Sequence, residues 1–336
     1  MLSEHRVSPQ REHESISGEL HDLPEHADGH DEQKDEDEHK SRWESNRTRV
    51  LVDAPKRPVP ERGDERSGIR AVRHLREADL DLQRGVAFVL ANPPAIDANK
   101  RYLDSDLNRA FPGDPNGDRE ERIAARLCEF IQDRTTLSLH GTESRPTPFA
   151  LIHSSHEREF ELAARLPVPH VVDHRGVNEH TITACGVNVE IELAFEDSDR
   201  EAAVAEYQAC AFLKRVGALP GEPPDVDPDF FHMGESVQKP SGETYELYVE
   251  NFERVPAGAA FASVDGRDVI ADEPFYPILM SERGYPDIFG YKGDKIADSL
   301  EEVEAVVLES SGEFSVIGSV EDGSAFGEKL DEQIRE

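Results

Sequence analysis

Between residues 48 and 218 the chain alternates short β-branched runs with stretches of helical periodicity, and no other feature narrows its fold so far. The runs "RVLVDA", "GVAFVLAN", "TLSLH", "FALIHSS", "PHVVDH" and "GVNVEIEL" read as strands bounded by turn-forming residues. Between them, Ile69, Val72 and Leu75 follow helical spacing after Ser67, and Ile123, Leu127 and Ile131 give one face of residues 118–134. "DREAAVAEYQACAFLKRV" closes the unit as a third helix. Such alternation is the signature of an α/β fold.

The flanks differ from this core. Residues 1–47 hold His5, His13, His21, His26, His30 and His39 among acidic residues with almost no apolar ones, which reads as a disordered, solvated tail. A His-rich tract of this kind could scavenge metal, but it implies no fixed ligand geometry. "LPGEPPDVDPD", residues 219–229, is a linker, and beyond it "YELYVENF", "GRDVIAD" and "FYPILMS" with glycine turns predict a small all-β domain over 230–320. That stretch includes a strand in "EFSVIGSV", and residues 321–336 form an acidic tail.

Seventy-one acidic against 37 basic residues give a formal charge of −34. A surface this acidic repels nucleic acid and anionic membranes, so neither is expected as a partner. The charge is spread along the chain and arginine is preferred to lysine, a composition like that of proteins from salt-accumulating archaea. Cys128, Cys185 and Cys210 are an odd number without a short ligand spacing and are expected to be reduced core residues. No apolar run reaches the roughly 18 residues of a membrane span, and the charged N-terminus does not resemble a secretory signal. A soluble cytoplasmic protein is expected.

"NPPAIDANKRYLDSDLNRAFPGDPNGD", residues 92–118, follows the strand "GVAFVLAN" and leaves the sheet at its carboxyl end, where open α/β sheets place their ligands. Arg101, Asn108 and Arg109 on this loop suit a carboxylate-bearing substrate, since guanidinium offers a planar two-pronged donor and the amide both donates and accepts. Composition alone leaves a second reading open, in which Asp104 and Asp106 simply neutralise the arginines.

The order of these residues, Arg101-Tyr102 and Asp106-Leu107-Asn108-Arg109, closely resembles the succinylglutamate desuccinylase/aspartoacylase family, zinc deacylases related to carboxypeptidases. The resemblance runs from roughly residue 48 to residue 295. It implies a mixed-sheet, zinc-carboxypeptidase-like α/β catalytic domain with a smaller C-terminal all-β domain, in a haloarchaeal-type member. "GDERSGIRAVRHL" is similar to the element that supplies two zinc ligands, a histidine and a glutamate three residues later; Glu65 matches the glutamate, while Arg62 stands at the histidine position. "TLSLHGTES" implies His140 as a further zinc ligand, with Ser138 where the family carries an aspartate. "GVNVEIELAF" implies Glu190 as general base and acid, with Glu192 where glycine is usual. "FYPILMSERGYPDIFGY" implies that Tyr285 reaches back into the pocket, although a buried core tyrosine reads the same way in sequence.

The activity implied is zinc-dependent hydrolysis of the amide bond of an N-acyl amino acid. Arg101 would stabilise the oxyanion, and Asn108 and Arg109 would hold the amino-acid carboxylate. Where aspartoacylase reads a side-chain carboxylate with arginine, this chain offers His180, with Arg175 nearby. Arg62 opposes the reading, because a guanidinium is always protonated and has no lone pair for a metal. Three explanations stay open: a non-catalytic relative that binds a carboxylate ligand, a substitute histidine of which His74 is nearest in sequence, or a shifted reading frame upstream of Gly63. A zinc carboxypeptidase is a further alternative. Oligomeric state leaves no mark in the sequence.

Overall fold

All six strands expected between residues 48 and 218 form, and they pair into one sheet. The computed structural model describes residues 67–299, apart from 145–146, 154–156, 178, 195–197 and 225, together with the backbone of strands at 48–52, 305–308 and 314–317. The two tails and the positions of Arg62 and Glu65 lie outside the described residues.

The chain runs β1 (Thr48–Val52), α1 (Ser67–Glu77), β2 (Val86–Leu90), a short α2 (Pro93–Asp97), α3 (Arg119–Ile131), β3 (Thr135–Thr142), β4 (Phe149–Ile152), α4 (Glu157–Ala163), β5 (His170–Asp173), β6 (Asn188–Ala194) and α5 (Asp199–Arg215). Beyond 219–229 follow β7 (Asp229–Gln238), β8 (Tyr245–Leu247), β9 (Ala260–Val264), β10 (Arg267–Ile270), β11 (Tyr276–Ile278), β12 (Ile288–Ala297), β13 (Ala305–Leu308) and β14 (Phe314–Ile317). Nine strands pair in the order β11-β12-β7-β5-β4-β6-β3-β1-β2. β6, β3, β1 and β2 are parallel, β4 runs antiparallel to β6, and β12 and β11 close the other edge antiparallel. A separate three-stranded sheet, β10-β9-β8, completes the mixed-sheet architecture. Thus β7, β12 and β11, all beyond the Pro-rich stretch, extend the large sheet, and the separate sheet is built from β8 to β10.

Local chemistry explains the helix ends. Asp118 and Glu121 form a reciprocal cap at the start of α3, each side chain accepting from the other's backbone N–H at 2.9 and 2.6 Å. Ser198 accepts from Glu201 N at 3.2 Å and opens α5.

The sheet separates two chemistries. On one face Leu137 and Leu139 of β3 and Val189, Ile191 and Leu193 of β6 pack with Ile69, Val72 and Leu75 of α1 and with Phe212 and Leu213 of α5. On the other face the alternate residues are Thr136, Ser138, His140 and Thr142 of β3 and Asn188, Glu190 and Glu192 of β6, every one buried. Two apolar clusters flank this polar strip. One is built on α3 with Leu107, Phe111 and Ile182. The other gathers Phe149, Val172, Phe231 and Tyr291, with Tyr285 packed against it.

The cysteines correct the sequence expectation. Cys128 on α3 and Cys185 in the 3-10 turn Ile182–Cys185 form a disulfide, their Cα atoms 5.0 Å apart across 57 residues. Packing of that turn against α3 brings them together, which no local spacing reveals. Cys210 is free and half-buried, and burial pushes its thiol up.

Candidate active site

Strand alternation in "TTLSLHGT" and "NVEIELA" sends His140, Glu190 and Glu192 to the same face, and the parallel register of β3 and β6 makes them neighbours. Ser138 pairs with Glu190 and His140 pairs with Glu192. His140 Nε2 lies 3.3 Å from Glu190 Oε2, both side chains buried. Ser138 donates to Asn188 Oδ1 at 2.9 Å.

The loop after β2 supplies the basic groups. Arg101 donates through Nε to Asp106 Oδ2 at 3.0 Å and pairs with the same carboxylate through Nη2. The other oxygen of Asp106 accepts from Asn108 N at 3.2 Å, so one aspartate both neutralises Arg101 and shapes the turn Leu107–Arg109. Asp104 instead accepts from Arg119 N at 3.4 Å. Asn108 Oδ1 accepts from Ile182 N at 3.4 Å, and Arg109 donates to Asn108 O at 2.6 Å. His180 Nδ1 stands 3.1 Å from Phe111 O, which places the imidazole beside the same loop.

Tyr285 connects the two halves. Burial pushes its phenol above the usual range; Tyr291 and Glu192 push the same way, and Arg109 and Arg101 oppose them. The hydroxyl therefore sits within charge reach of Glu192, Arg109 and Arg101 together. Asn251 clamps the neighbouring segments, its amide donating to Ser144 O at 2.7 Å and Met280 O at 2.9 Å while its Oδ1 accepts from Met280 N at 2.8 Å. A cleft of about 610 Å³ opens here, lined by Glu143, Ser144, Thr147, Asn251 and Arg283 among others, immediately past His140 along the chain.

Other groups escaped the sequence reading. Glu120 is fully buried and accepts from Leu103 N, Asp104 N, Ser105 N and Asn92 Nδ2 at 2.8 to 3.3 Å, holding the 101–109 loop against α3. Burial alone would raise its pKa; the hydrogen bonds prevail and hold it below the usual carboxylate range. Its position in a helix's first turn resembles ordinary N-terminal charge preference, which concealed the role. Gly113, at φ +91°, passes so close to α3 that a Cβ would meet Ala125 N at 2.1 Å, so the loop docks only with glycine there.

The expectation for His74 is corrected, and Arg175 finds a local partner. His74 is not brought to the polar strip: it lies on α1, which covers the opposite face, with Nδ1 2.6 Å from Glu206 Oε1. Arg175 is turned back on Asp173, which accepts from its backbone N–H at 3.0 Å and pairs with its guanidinium at 3.8 Å. Among the described residues no group of three or more His, Cys, Asp or Glu is gathered closely enough to hold a metal.

Residues 62–214 match the model of the succinylglutamate desuccinylase/aspartoacylase catalytic domain. The chain is 32% identical over 112 residues to a human N-acyl-aromatic-L-amino acid amidohydrolase (carboxylate-forming), a stretch covering 28% of this chain and 35% of the relative. It is 38% identical over 101 residues to the N-alpha-acetyl-L-2,4-diaminobutyric acid deacetylase of Halomonas elongata, covering 27% and 30%. These matches span about a third of the length of the curated relatives. The crystal structure of murine aminoacylase 3 superposes with a TM-score of 0.61 at 20% identity, over 75% of this chain and 96% of that one, which establishes a shared fold. Residues 62–214 thus resemble the succinylglutamate desuccinylase/aspartoacylase catalytic domain in sequence, and the fold is shared with murine aminoacylase 3.

Proposed function

We propose that the protein is a zinc-dependent deacylase that hydrolyses the amide bond of a small N-acyl amino acid. The observation that carries the reading is the buried polar strip in which His140 and Glu190 meet at 3.3 Å, together with Tyr285, which feels the charges of Glu192 from the strip and of Arg101 and Arg109 from the loop after β2. Burying this many polar groups opposes folding and is retained where chemistry requires it. The relatives named above act on N-acyl amino acids, which agrees with this assignment.

Zinc fits the donor chemistry of the strip, a buried imidazole beside carboxylates, and His140 together with Glu65 would hold it. When bound, it supplies a Lewis acid for the acyl carbonyl and makes water a competent nucleophile near neutral pH. Glu190 takes the proton from the attacking water and returns it to the departing amine, work suited to a buried carboxylate. Arg101, held in place by Asp106, stabilises the negative charge that develops on the carbonyl oxygen. Asn108 and Arg109 hold the amino-acid carboxylate, Tyr285 closes the pocket from the second lobe, and His180 contacts the substrate from the loop beside Phe111.

The test is a panel of N-acetyl amino acids and peptides offered to zinc-loaded protein in high salt. Glu190→Gln is expected to lower kcat by about 10²–10⁴ while zinc stays bound. Binding of N-acyl amino acids without hydrolysis would mark a non-catalytic relative, the reading that Arg62 favours. Turnover of peptides alone would mark a carboxypeptidase.

A further inference from the structure

We propose that Ile182, through its backbone N–H, is the positioning residue that turns the Asn108 carboxamide so that its NH2 faces the substrate carboxylate. This rests on the deacylase reading above, in which Asn108 and Arg109 hold that carboxylate, and adds the group that decides which end of the amide does so. The two ends are not equivalent. A carboxylate only accepts hydrogen bonds, so the amide NH2 attracts it and the amide oxygen repels it. Backbone contacts leave the choice open: Asn108 N donates to Asp106 Oδ1 at 3.2 Å and Asn108 O accepts from Arg109 Nη1 at 2.6 Å, and both fix only the main chain. The carboxamide has one partner among the described residues, Ile182 N, which donates to its Oδ1 at 3.4 Å from 74 residues away in sequence. With the oxygen engaged there, the NH2 is the end left for a ligand.

Ile182 serves as a fixed point because its turn is anchored twice. Its side chain is buried and packs with Leu107, Phe111 and Leu127. Three residues on, Cys185 is bonded to Cys128 of α3. The Ile182 N–H is spare within the turn Ile182–Cys185, which closes through Ala184 N donating to Thr181 O at 3.1 Å. A second contact joins the same segment to the loop, where His180 Nδ1 stands 3.1 Å from Phe111 O. α3 also carries Glu120, which holds the backbone of Leu103, Asp104 and Ser105. One helix therefore sets both the main chain of the loop and, through the disulfide and Ile182, the side chain that the loop presents.

Proline tests the N–H alone. Ile182 is the first residue of its turn, where proline's fixed φ and missing donor are tolerated. Thr181 before it is extended, at φ −98° and ψ 171°, the conformation favoured ahead of proline. Kinetics on the full-length protein in high salt, with circular dichroism to verify folding, compare the N-acetyl amino acid that the unaltered protein hydrolyses fastest with the same compound bearing a C-terminal carboxamide. Ile182→Pro is expected to raise KM for the carboxylate about 10–100-fold with kcat little changed, the worth of one hydrogen bond to a charged group, and to leave the carboxamide unaffected. Ile182→Val keeps the N–H, trims the side chain and is expected to leave both KM values unchanged. Cys128→Ala, which frees the turn from α3, is expected to raise KM for the carboxylate in the same selective way, and it carries the test should the proline variant not fold. In an Asn108→Ala background neither change is expected to raise KM further, since both act through that side chain. Unchanged KM, or an equal loss for carboxylate and carboxamide, overturns the assignment and leaves the deacylase reading intact. Failure of the unaltered protein to hydrolyse any N-acyl amino acid overturns both.

Discussion

His174 follows β5 and is almost completely buried, and neither ring nitrogen has a hydrogen-bond partner among the described residues. Burial lowers its pKa from 6.5 to about 4, against the pull of Asp173. Its neutral form is therefore built into the fold. The contribution is complete above pH 6.5 and is lost as pH falls towards about 4, because the unfolded chain takes up the proton first. Each tenfold difference in proton affinity between the folded and unfolded chain corresponds to about 1.4 kcal/mol. Urea unfolding of His174→Leu across this window is expected to show a flatter pH dependence than the unaltered protein; identical slopes would remove His174 as the cause. Glu120 makes the opposite case, a buried carboxylate kept charged by three backbone amides and Asn92. Glu120→Gln turns an acceptor into a donor facing N–H groups and is expected to cost about 1–3 kcal/mol. It should also raise KM more than it lowers kcat, as the 101–109 loop loosens; equal kinetics with equal stability would count against the positioning role. Arg101, Asn108 and Arg109 were legible as a motif, whereas Glu120 was not, because its partners are backbone amides that carry no residue identity.

At the scale of elements, β3 and β6 carry the site through simple alternation. "TTLSLHGT" and "NVEIELA" place apolar residues against α1 and α5 and polar ones on the opposite face, a pattern readable from sequence. Register was not readable: only pairing in space sets His140 against Glu192 and Ser138 against Glu190. The disulfide belongs to the same category, since it joins α3 to a turn 57 residues away. Replacing Cys128 by Ala, or reducing the protein, is expected to lower stability by about 2–4 kcal/mol through the freed loop. An unchanged melting temperature under reductant would show that the link contributes nothing in solution.

For the whole molecule, net charge adds a repulsion that belongs to no single contact. A net −34 repels itself, and the screening length shortens from about 10 Å at 0.1 M salt to about 3 Å at 1 M. The thermal midpoint is therefore expected to rise as potassium chloride increases from dilute to molar; a flat response would exclude self-repulsion as a factor. The described residues contain no helix long and apolar enough to cross a membrane. Asn251 sets the other molecular-scale constraint, tying the loop after β3 to the segment that leads to Tyr285. Asn251→Ala is expected to leave the large sheet folded and to weaken substrate binding by about tenfold, given about 1.4 kcal/mol per decade, which calorimetry with an N-acetyl amino acid would measure.

Sequence by itself determined the α/β class, the six strands between residues 48 and 218 and the motif on the loop after β2. These follow from periodicity and residue order, which are local properties of the chain. Tertiary structure alone decided that β7, β12 and β11 extend the large sheet, that Cys128 meets Cys185, that His74 stands on the wrong face and that Glu192 stands beside His140. Each of those depends on which segments pair across many intervening residues, and the free energy that settles such pairing comes from burial summed over the whole sheet, not from any one stretch of sequence.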